Sequence, residues 1–426
     1  MVKYALIGRD ERHGYLLDAL RKEGHEVKML SRARTGAWDG MLDRLSDLQS
    51  LREWGPDLVL VDSPGFGPLI KTLGEEGFRV FGGSKLADRL DGNYLYGLSI
   101  LEGAGVPTVE HSRFTDVTDA VDYTMGKQQP WALRTPDGTF LNFKDTPALQ
   151  LHLEKLYTAG GPSEFALQRG YPDVSSDGLM LNPMYYLVGL YNSTGLMSPC
   201  FRMSTAHNLL PHSMGVPSME GVSLKVESLD SSAVESTLLK MQKALGAVNF
   251  TGWVFLGCLE EWDKDEGYTT KVLDFRVSAP DGFWAALLQG LNMSFEHFLD
   301  RVMNPRRPNT PFEFQDGCVV SRKVSLPPYP LTQARWVNKP LQDLLPDISW
   351  HRSQSVYWVD VKSLDGMLTP SGPVVGYVAA RGRDSGDALH ALGLVVNTLN
   401  IPYMQVKVED GMDCLHLDLL QNGRTM

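Results

Sequence analysis

The chain has 426 residues, of which 43% are hydrophobic and 21% charged, and its formal net charge at pH 7 is −11. This length allows about two to four domains, and the composition is typical of a water-soluble globular protein with a sizeable core. The acidic balance argues against nucleic-acid binding by bulk electrostatics, and no apolar run approaches the roughly 20 residues that cross a membrane.

Residues 1–83 are predicted to form a parallel sheet, because short apolar runs alternate with amphipathic stretches. The predicted strands lie at 2–8, 26–30, 57–61 and 78–81. The predicted helices lie at 15–22, 41–54 and 69–76. The turn after the first strand lacks GxGxxG, which argues against a dinucleotide site. The loop at 62–68 follows the third strand at its carboxyl end, where ligands of open α/β sheets bind.

The next stretch of the chain is predicted to combine helices with antiparallel strands. The predicted helices lie at 84–103, 115–127, 148–157 and 231–245. The predicted strands lie at 131–134, 139–143, 165–168, 178–182 and 185–191. Residues 194–223 are rich in Gly, Pro, Ser and Met, and we expect a long irregular loop there. A loop of that length inside a domain is usually functional.

A β-hairpin followed by a helix is predicted near the middle of the chain, with an apolar strand at 252–259 and a helix at 283–291. The second strand, at 271–277, alternates. Its predicted faces are Val272, Asp274 and Arg276 on one side and Leu273, Phe275 and Val277 on the other. Asp274 and Arg276 can be a surface ion pair, which is common and weak, or part of a site in a cleft.

The end of the chain is predicted to form a small α+β domain. Its predicted strands lie at 319–326, 374–380, 403–408 and 414–420, and its helix lies at 385–399. The four cysteines, at 200, 258, 318 and 414, are far apart and form no CxxC pair. Reduced thiols and a cytoplasmic location are therefore expected.

Four segments carry short motifs: 81–108 (FGGSKLADRLDGNYLYGLSILEGAGVPT), 250–257 with 272–275, 213–215, and 318–320 running on to 328–330. Their order and spacing resemble phosphoribosylamine–glycine ligase, an ATP-grasp enzyme of purine synthesis. The first matches that family's Phe-Gly, Ser/Thr-Lys, Leu-Glu-Gly and Ile-Pro-Thr elements without a gap. The others parallel its Tyr-Thr-Gly-Phe strand, its Val-Ile-Glu-Phe-Asn metal strand, its Gly-Gly-Met-Gly loop and a strand that ends in Gly-Tyr-Pro. The resemblance covers nearly the whole chain.

The resemblance implies an α/β and α+β architecture. It consists of a parallel-sheet pre-ATP-grasp domain at 1–83, an ATP-grasp region at 84–317 with subdomains at 84–160 and 161–317, and an α+β domain at 318–426. It also implies a ligase that joins a small-molecule carboxylate to an amine through an acyl phosphate, using ATP and Mg²⁺ and releasing ADP. The amine can be a nucleotide, a nucleoside or a modified DNA base.

The resemblance also suggests site residues. These are Lys85, Arg134 and Gln168 for ATP, Asp274 for the metal, Arg276 and Asp281 for catalysis, and Arg12, Ser63, Met214 and Gly215 for substrates. Structural alternatives stay open, with Lys85 as a surface lysine, Gln168 as a packed strand residue and Arg12 as a solvated turn residue. His207 and His212, in the predicted irregular loop, can be acid–base groups, but a structural role is expected for each.

The sequence departs from the family where phosphate chemistry needs cations. Tyr94 and Leu98 stand where the family has lysines, and the glycine-rich phosphate loop is cut to 135–139. Arg276 stands where the family has an asparagine in its metal strand, and Ser278 where it has an arginine. These departures support a second hypothesis, an inactive ATP-grasp fold kept for binding a ligand or partner. A third is an unrelated α/β protein that matches by chance.

Overall fold

The computed structural model describes most of the chain. The described residues are 1–61, 63–137, 140–160, 164–169, 185–207, 218–247, 250–263, 267–304, 311–327, 329–330, 355–399 and 401–408. Several predictions lie outside these ranges, namely the strands at 178–182 and 414–420, His212, Met214 and Gly215. Within the described residues, no helix combines the length and the apolar composition needed to cross a membrane.

A parallel sheet forms from the first part of the chain. Its strands are β1 (Lys3–Gly8), β2 (Glu26–Ser31), β3 (Asp43–Arg44), β4 (Leu58–Val61) and β5 (Val80–Gly82). The helices between them are α1 (Gly14–Lys22), α2 (Leu48–Trp54) and α3 (Gly67–Glu75). All neighbouring strands are parallel, in the order β3-β2-β1-β4-β5, which confirms the predicted βαβ organisation.

The helix predicted at 41–54 is wrong in its first half. Residues 43–44 extend the sheet beside β2 instead, and α2 begins only at Leu48. Asp47 sets that start, because its carboxylate accepts the Ser50 N–H at 2.7 Å while Ser50 Oγ accepts the Asp47 N–H at 3.2 Å. This reciprocal capping box satisfies N–H groups that the first helical turn leaves open.

A four-stranded antiparallel sheet follows, in the order β6-β9-β7-β8. Its strands are β6 (His111–Phe114), β7 (Trp131–Arg134), β8 (Phe140–Phe143) and β9 (Phe165–Arg169). The helices of this region are α4 (Lys85–Gly92), α5 (Tyr94–Gly103), α6 (Val117–Thr124) and α7 (Thr146–Thr158). The single helix expected at 84–103 is split at Asn93, whose extended backbone ends α4 and whose Oδ1 caps α5 at the Tyr96 N–H, 2.9 Å away.

An eight-stranded antiparallel sheet is the largest in the protein, in the order β14-β13-β10-β11-β12-β15-β19-β16. Its strands are β10 (Tyr185–Asn192), β11 (Gly195–His207), β12 (Met219–Glu227), β13 (Gly252–Asp263), β14 (Gly267–Arg276), β15 (Cys318–Ser325), β16 (Val356–Trp358) and β19 (Val374–Gly382). A small hairpin pairs β17 (Val361–Leu364) with β18 (Met367–Pro370). The remaining helices are α8 (Ser232–Ser236), α9 (Leu238–Gly246), α10 (Phe283–Gly290), α11 (Phe295–Met303) and α12 (Ser385–Val396).

The irregular loop predicted at 194–223 is wrong over 195–207 and 219–223, which form β11 and the first part of β12, and residues 208–217 of that prediction lie outside the described residues. Pro199 lacks a ladder N–H, but it lies where the pairing of β11 with β10 shifts register, so the strand tolerates it. Gly221 has a φ of 149°, and a Cβ there would collide with the Ser321 carbonyl oxygen of β15. Glycine and proline therefore mark local features of strands here, not a loop.

The strand predicted at 403–408 is also wrong, since this stretch forms only a single bridge, between Gln405 and Ser325. Tyr403 has a φ of 61°, which interrupts an extended backbone. The boundaries of the three domains stay predictions. β15, from the predicted terminal domain, pairs directly with β12 of the central region.

The main core holds α10 in place against the large sheet. Trp253 of β13 and Phe283 of α10 meet edge-to-face with ring centroids 4.9 Å apart, and Phe298 of α11 stacks on the other side of Trp253. Phe283 to Leu287 are all buried. Because α10 is fixed by this packing, the segment before it, residues 277–282, is held at a defined position.

Candidate functional site

The small antiparallel sheet meets the edge of the large sheet at β14. The Val272 N–H donates to the Pro107 carbonyl at 2.8 Å, and the Val109 N–H donates to the Val272 carbonyl at 3.0 Å. A small apolar cluster of Val109, Ala132, Leu259 and Leu273 closes this junction. The contacts place β7 and β9 opposite β14.

Tyr94 spans the junction between the two sheets. Its Oη donates to the Leu273 carbonyl oxygen at 2.8 Å and accepts a hydrogen bond from Gln168 Nε2 at 2.8 Å. The Arg134 guanidinium carbon lies 4.6 Å from the centroid of the Tyr94 ring. Arg134 is 5% exposed, so the charged group and the ring share a largely desolvated space. Burial raises the pKa of Tyr94 above its ordinary value.

A β-bulge changes the expected alternation of β14. Asp274 pairs with Gly257 and Val272 with Cys258, so Leu273 has no partner in the ladder. Val272 then packs in the same core cluster as Phe275, and Leu273 packs in the junction. The prediction that Val272 shares a face with Asp274 and Arg276 is therefore wrong, because one inserted residue shifts the period-2 pattern.

Asp274 and Arg276 form a tight pair at the end of β14. Asp274 Oδ2 accepts from Arg276 Nε at 2.7 Å, and Asp274 Oδ1 accepts from the Phe275 N–H at 3.1 Å. Asp274 is 5% exposed, whereas the Arg276 side chain is 53% exposed. The negative charge of Asp274 raises the pKa of Arg276. Within the described chain, the terminal guanidinium nitrogens of Arg276 make no hydrogen bond.

The charges of this region act on one buried hydroxyl. Burial and then Asp274 raise the pKa of Tyr186 to about 12, while Arg276 and Arg134 lower it. Of the predicted residues, Arg134 and Gln168 contact Tyr94 directly, and Asp274 and Arg276 pair at the end of β14, the strand whose Leu273 carbonyl accepts from Tyr94. We call Tyr94, Arg134, Gln168, Asp274 and Arg276 the intersheet cluster. Lys85, in contrast, is exposed at the first residue of α4, and its role stays a prediction.

The segment 277–282 leads away from Arg276 and is anchored at both ends. Asp91 of α4 accepts from the Val277 N–H at 3.0 Å and from the Ser278 N–H at 3.3 Å. Gly282 has a φ of 83°, and its carbonyl accepts from Ser321 Oγ at 2.8 Å. Asp281 is thereby fixed near the far end of the segment.

Asp281 belongs to a second group of charges. Lys323 Nζ lies 3.0 Å from Asp281 Oδ2 and donates to Tyr329 Oη at 2.8 Å. The side chain of Lys323 is 3% exposed, while that of Asp281 is 40% exposed. Arg12, in the turn after β1, pairs with Asp10 at 3.0 Å. Burial opposes the charge of Arg12, but Asp10, Asp281 and Asp360 together raise its pKa.

We call Arg12, Asp281, Lys323, Tyr329 and Asp360 the edge cluster, because Arg12 lies at the carboxyl edge of the first sheet. Arg12 and Asp281 were predicted from the sequence, whereas Lys323 was not. Its signal in the sequence was a pair of adjacent cations, Arg322 and Lys323, inside the strand CVVSRKVS. Burial raises the pKa of Asp360 to about 6.

No family model matches the sequence. Among solved structures, phosphoribosylamine–glycine ligase from Thermotoga maritima aligns with a TM-score of 0.69 at 14% identity, over 96% of this chain and 100% of that one. Biotin carboxylase from Campylobacter jejuni, in its β-γ-ATP complex, aligns with a TM-score of 0.65 at 12% identity, over 99% and 96%. N5-carboxyaminoimidazole synthetase from Staphylococcus aureus gives 0.57 at 13% identity, over 93% and 97%.

The chain has the ATP-grasp fold. This confirms the predicted fold class. A fold does not by itself give a function, so the residues of the two clusters decide which ligands this chain can bind.

The donor set at Asp274 does not fit magnesium. Magnesium prefers about six oxygen ligands in near-octahedral order. Both carboxylate oxygens of Asp274 already accept hydrogen bonds, and one of these comes from a guanidinium that would repel a cation. No group of three or more acidic, His or Cys side chains suited to a metal occurs in the part of the chain that the structure describes.

The loop after β4, in the first sheet, also differs from what the family resemblance implies for a substrate-binding loop. The Gly65 and Gly67 N–H groups, at the start of α3, donate to the carboxylate of Asp88 at 2.6 and 2.7 Å. Ser63 Oγ accepts from the Arg9 N–H at 3.4 Å. Ser63, Asp88 and Asp91 line a cavity of about 50 Å³. Ligand pockets usually measure about 300–1,000 Å³, so this cavity holds a few waters and not a sugar phosphate.

Proposed function

We propose that this protein is an ATP-dependent ligase that joins a small-molecule carboxylate to an amine. One observation carries the proposal, namely that the intersheet and edge clusters lie at the two ends of one anchored segment. Four residues separate Arg276 from Asp281. Their Cα atoms are therefore at most about 18 Å apart, given about 3.3–3.6 Å per residue. The structural similarity to phosphoribosylamine–glycine ligase and biotin carboxylase supports the same proposed function.

The intersheet cluster suits the phosphate end of a nucleotide. Arg134 and Arg276 provide two guanidinium groups, which bind phosphate oxygens in a fixed fork geometry. Gln168 Oε1 is buried and accepts no hydrogen bond within the described residues, so it would accept an N–H from a base.

The edge cluster suits the carboxylate substrate. Lys323 pairs with Asp281 at 3.0 Å, and Asp281 also contributes to the raised pKa of Arg12, so the cluster supplies two cations that can attract a carboxylate ligand. In the proposed reaction, a substrate carboxylate oxygen attacks the γ-phosphorus, and ADP leaves. The amine then attacks the acyl carbon of the acyl phosphate, and inorganic phosphate leaves as the amide forms. The work of the protein is to position the reactants and to neutralise phosphate charge.

Hydroxylamine trapping tests this proposal without knowledge of the natural amine. The purified chain is incubated with ATP, hydroxylamine and single carboxylates, with glycine first and then other amino acids and bicarbonate. We expect ADP and acyl hydroxamate in equal amounts with at least one carboxylate. Arg276→Ala should lower both by about tenfold or more, because a charge-assisted contact to phosphate is lost. The control is Arg52→Ala, since Arg52 forms an ion pair with Glu76 at 2.7 Å on the first sheet.

The position of Tyr94 favours a second candidate, a protein that keeps the fold to bind a ligand or partner without turnover. The Tyr94 ring lies in the junction where the resemblance places a lysine, and Gln168 and Leu273 hold it there. ATP binding without ADP release under every carboxylate tested would support this candidate against the ligase.

We also propose a cytoplasmic location. Cys200, Cys258 and Cys318 are buried free thiols within the described residues, as expected in a reducing compartment. Fractionation of cells that express the tagged chain would test the assignment.

A further inference from the structure

We propose that the Arg276 guanidinium takes the place of a divalent cation, so that this protein binds the phosphate groups of a nucleoside triphosphate without a metal at Asp274. The inference rests on the proposed function and adds a statement about how its nucleotide is held. The inference concerns which positive charge binds the phosphate groups, and it does not depend on whether phosphoryl transfer follows.

The first step is that Asp274 is committed to the arginine. Its Oδ2 lies 2.7 Å from Arg276 Nε, and its Oδ1 accepts the Phe275 N–H at 3.1 Å. A carboxylate with both oxygens engaged, beside a fixed positive charge, is a poor magnesium ligand. Opening the pair would leave Asp274, which is 5% exposed, as a buried carboxylate without a counter-charge, so the pair resists opening.

The second step is that Asp274 fixes the orientation of the Arg276 side chain through Nε and leaves the two terminal nitrogens to bind a ligand. Asp274 binds only Nε, and the side chain is 53% exposed. In the described part of the chain, the two terminal nitrogens donate to no protein acceptor. A guanidinium fixed through Nε presents the other edge as a two-pronged donor, which matches two phosphate oxygens.

The third step is that a second guanidinium lies nearby. Arg134 lies 4.6 Å from the centroid of the Tyr94 ring, and the Tyr94 hydroxyl donates to the carbonyl of Leu273, the residue before Asp274, so Arg134 lies beside the strand that carries the Asp274–Arg276 pair. Arginine stays protonated at any physiological pH. The two arginines carry two positive charges and Asp274 carries one negative charge, so the three groups together bring a net positive charge to the phosphates without a metal.

Isothermal titration of the full chain with ATP tests the inference, in chelator (EDTA) and in excess magnesium. We expect the two dissociation constants to agree within about threefold. Arg276→Asn replaces the guanidinium with an amide oxygen that can ligate a metal. This variant should lose about tenfold or more in chelator and recover with magnesium. Arg276→Lys should bind more weakly than wild type but stay independent of magnesium, and Arg52→Asn should behave as wild type.

Wild-type binding that requires magnesium would overturn the inference while the ligase proposal stands. An Arg276→Asn variant that matches wild type in chelator would overturn it as well. Binding in neither condition, together with no hydroxamate, would refute the proposed function itself. The two wild-type titrations decide the inference without any variant, so misfolding of Arg276→Asn does not prevent the test.

Discussion

Asp281→Asn should destabilise the protein more than Lys323→Met, although both changes break the same ion pair. The Lys323 side chain is 3% exposed, so its charge depends on Asp281 and on the Tyr329 hydroxyl. The Asp281 side chain is 40% exposed, so water can solvate it when the lysine is gone. Removing Asp281 leaves the more buried charge, that of Lys323, without a partner, so it lowers the free energy of unfolding more than removing Lys323 does.

The magnitude follows from the exposure of the pair. Breaking a fully buried pair by removing one partner costs about 3–5 kcal/mol. Solvent screening at Asp281 reduces this, and we expect about 1–3 kcal/mol for Asp281→Asn. For Lys323→Met we expect less than about 1 kcal/mol, since methionine keeps most of the buried volume.

The pH dependence gives a second readout of the same change. In the wild type, burial lowers the pKa of Lys323, but Asp281 and Tyr329 outweigh it, and the net effect raises that pKa. This contribution is complete below the ordinary lysine pKa and is lost as pH rises through the raised one. In Asp281→Asn, burial acts without the counter-charge, so the pKa falls and the unfolded chain holds more protons. The stability of the variant relative to wild type should then increase from about pH 8 to about pH 10.

Urea unfolding, followed by tryptophan fluorescence at both pH values, measures these free energies. Lys323→Met is the matched control, because it removes the same ion pair from the other side. Equal or larger destabilisation by Lys323→Met would refute the assignment of Lys323 as the buried, dependent partner. So would an Asp281→Asn variant whose deficit grows as the pH rises.

Three further changes test other contacts. Tyr94→Phe should cost about 2–4 kcal/mol of unfolding free energy, since it leaves two buried groups without a partner. Tyr191→Phe, which removes one bond to the Leu238 carbonyl at 2.6 Å, should cost about half as much, and a larger cost would contradict the role of Tyr94. Asp88→Ala should free the Gly65 and Gly67 N–H groups, so that phosphate raises the melting temperature of the variant but not of wild type. Burial raises the pKa of Asp360 to about 6, so the folded state binds the proton more tightly than the unfolded chain. Wild type should therefore lose up to about 3 kcal/mol relative to Asp360→Asn as the pH rises from about 4 to about 6, and parallel curves would rule this out.

The sequence was informative where a regular pattern reports a regular structure. Alternating apolar and amphipathic stretches predicted the parallel sheet, and the run at 252–259 lies within β13. These two predictions succeeded because burial on one face imposes a period that the sequence must keep. The sites suggested at Arg134, Gln168, Asp274 and Arg276 came from the family resemblance, and their roles stay predictions.

The failures have local causes. The bulge at Leu273 inserts one residue into β14, and a period-2 pattern contains no sign of such an insertion. Pro199 and Gly221 suggested a loop, but they mark a register shift and a close strand contact. Lys323 was missed because its charged partner, Asp281, is 42 residues away in the sequence, so only the tertiary fold shows why a lysine is buried there.

Isotope transfer from the carboxylate tests the central claim most directly. The carboxylate selected by hydroxylamine trapping is labelled with oxygen-18 and incubated with ATP, hydroxylamine and the wild-type chain. If the carboxylate attacks the γ-phosphorus, one labelled oxygen must appear in each released inorganic phosphate. Mass spectrometry that finds labelled phosphate would support the ligase, and hydroxamate formed with unlabelled phosphate would contradict it.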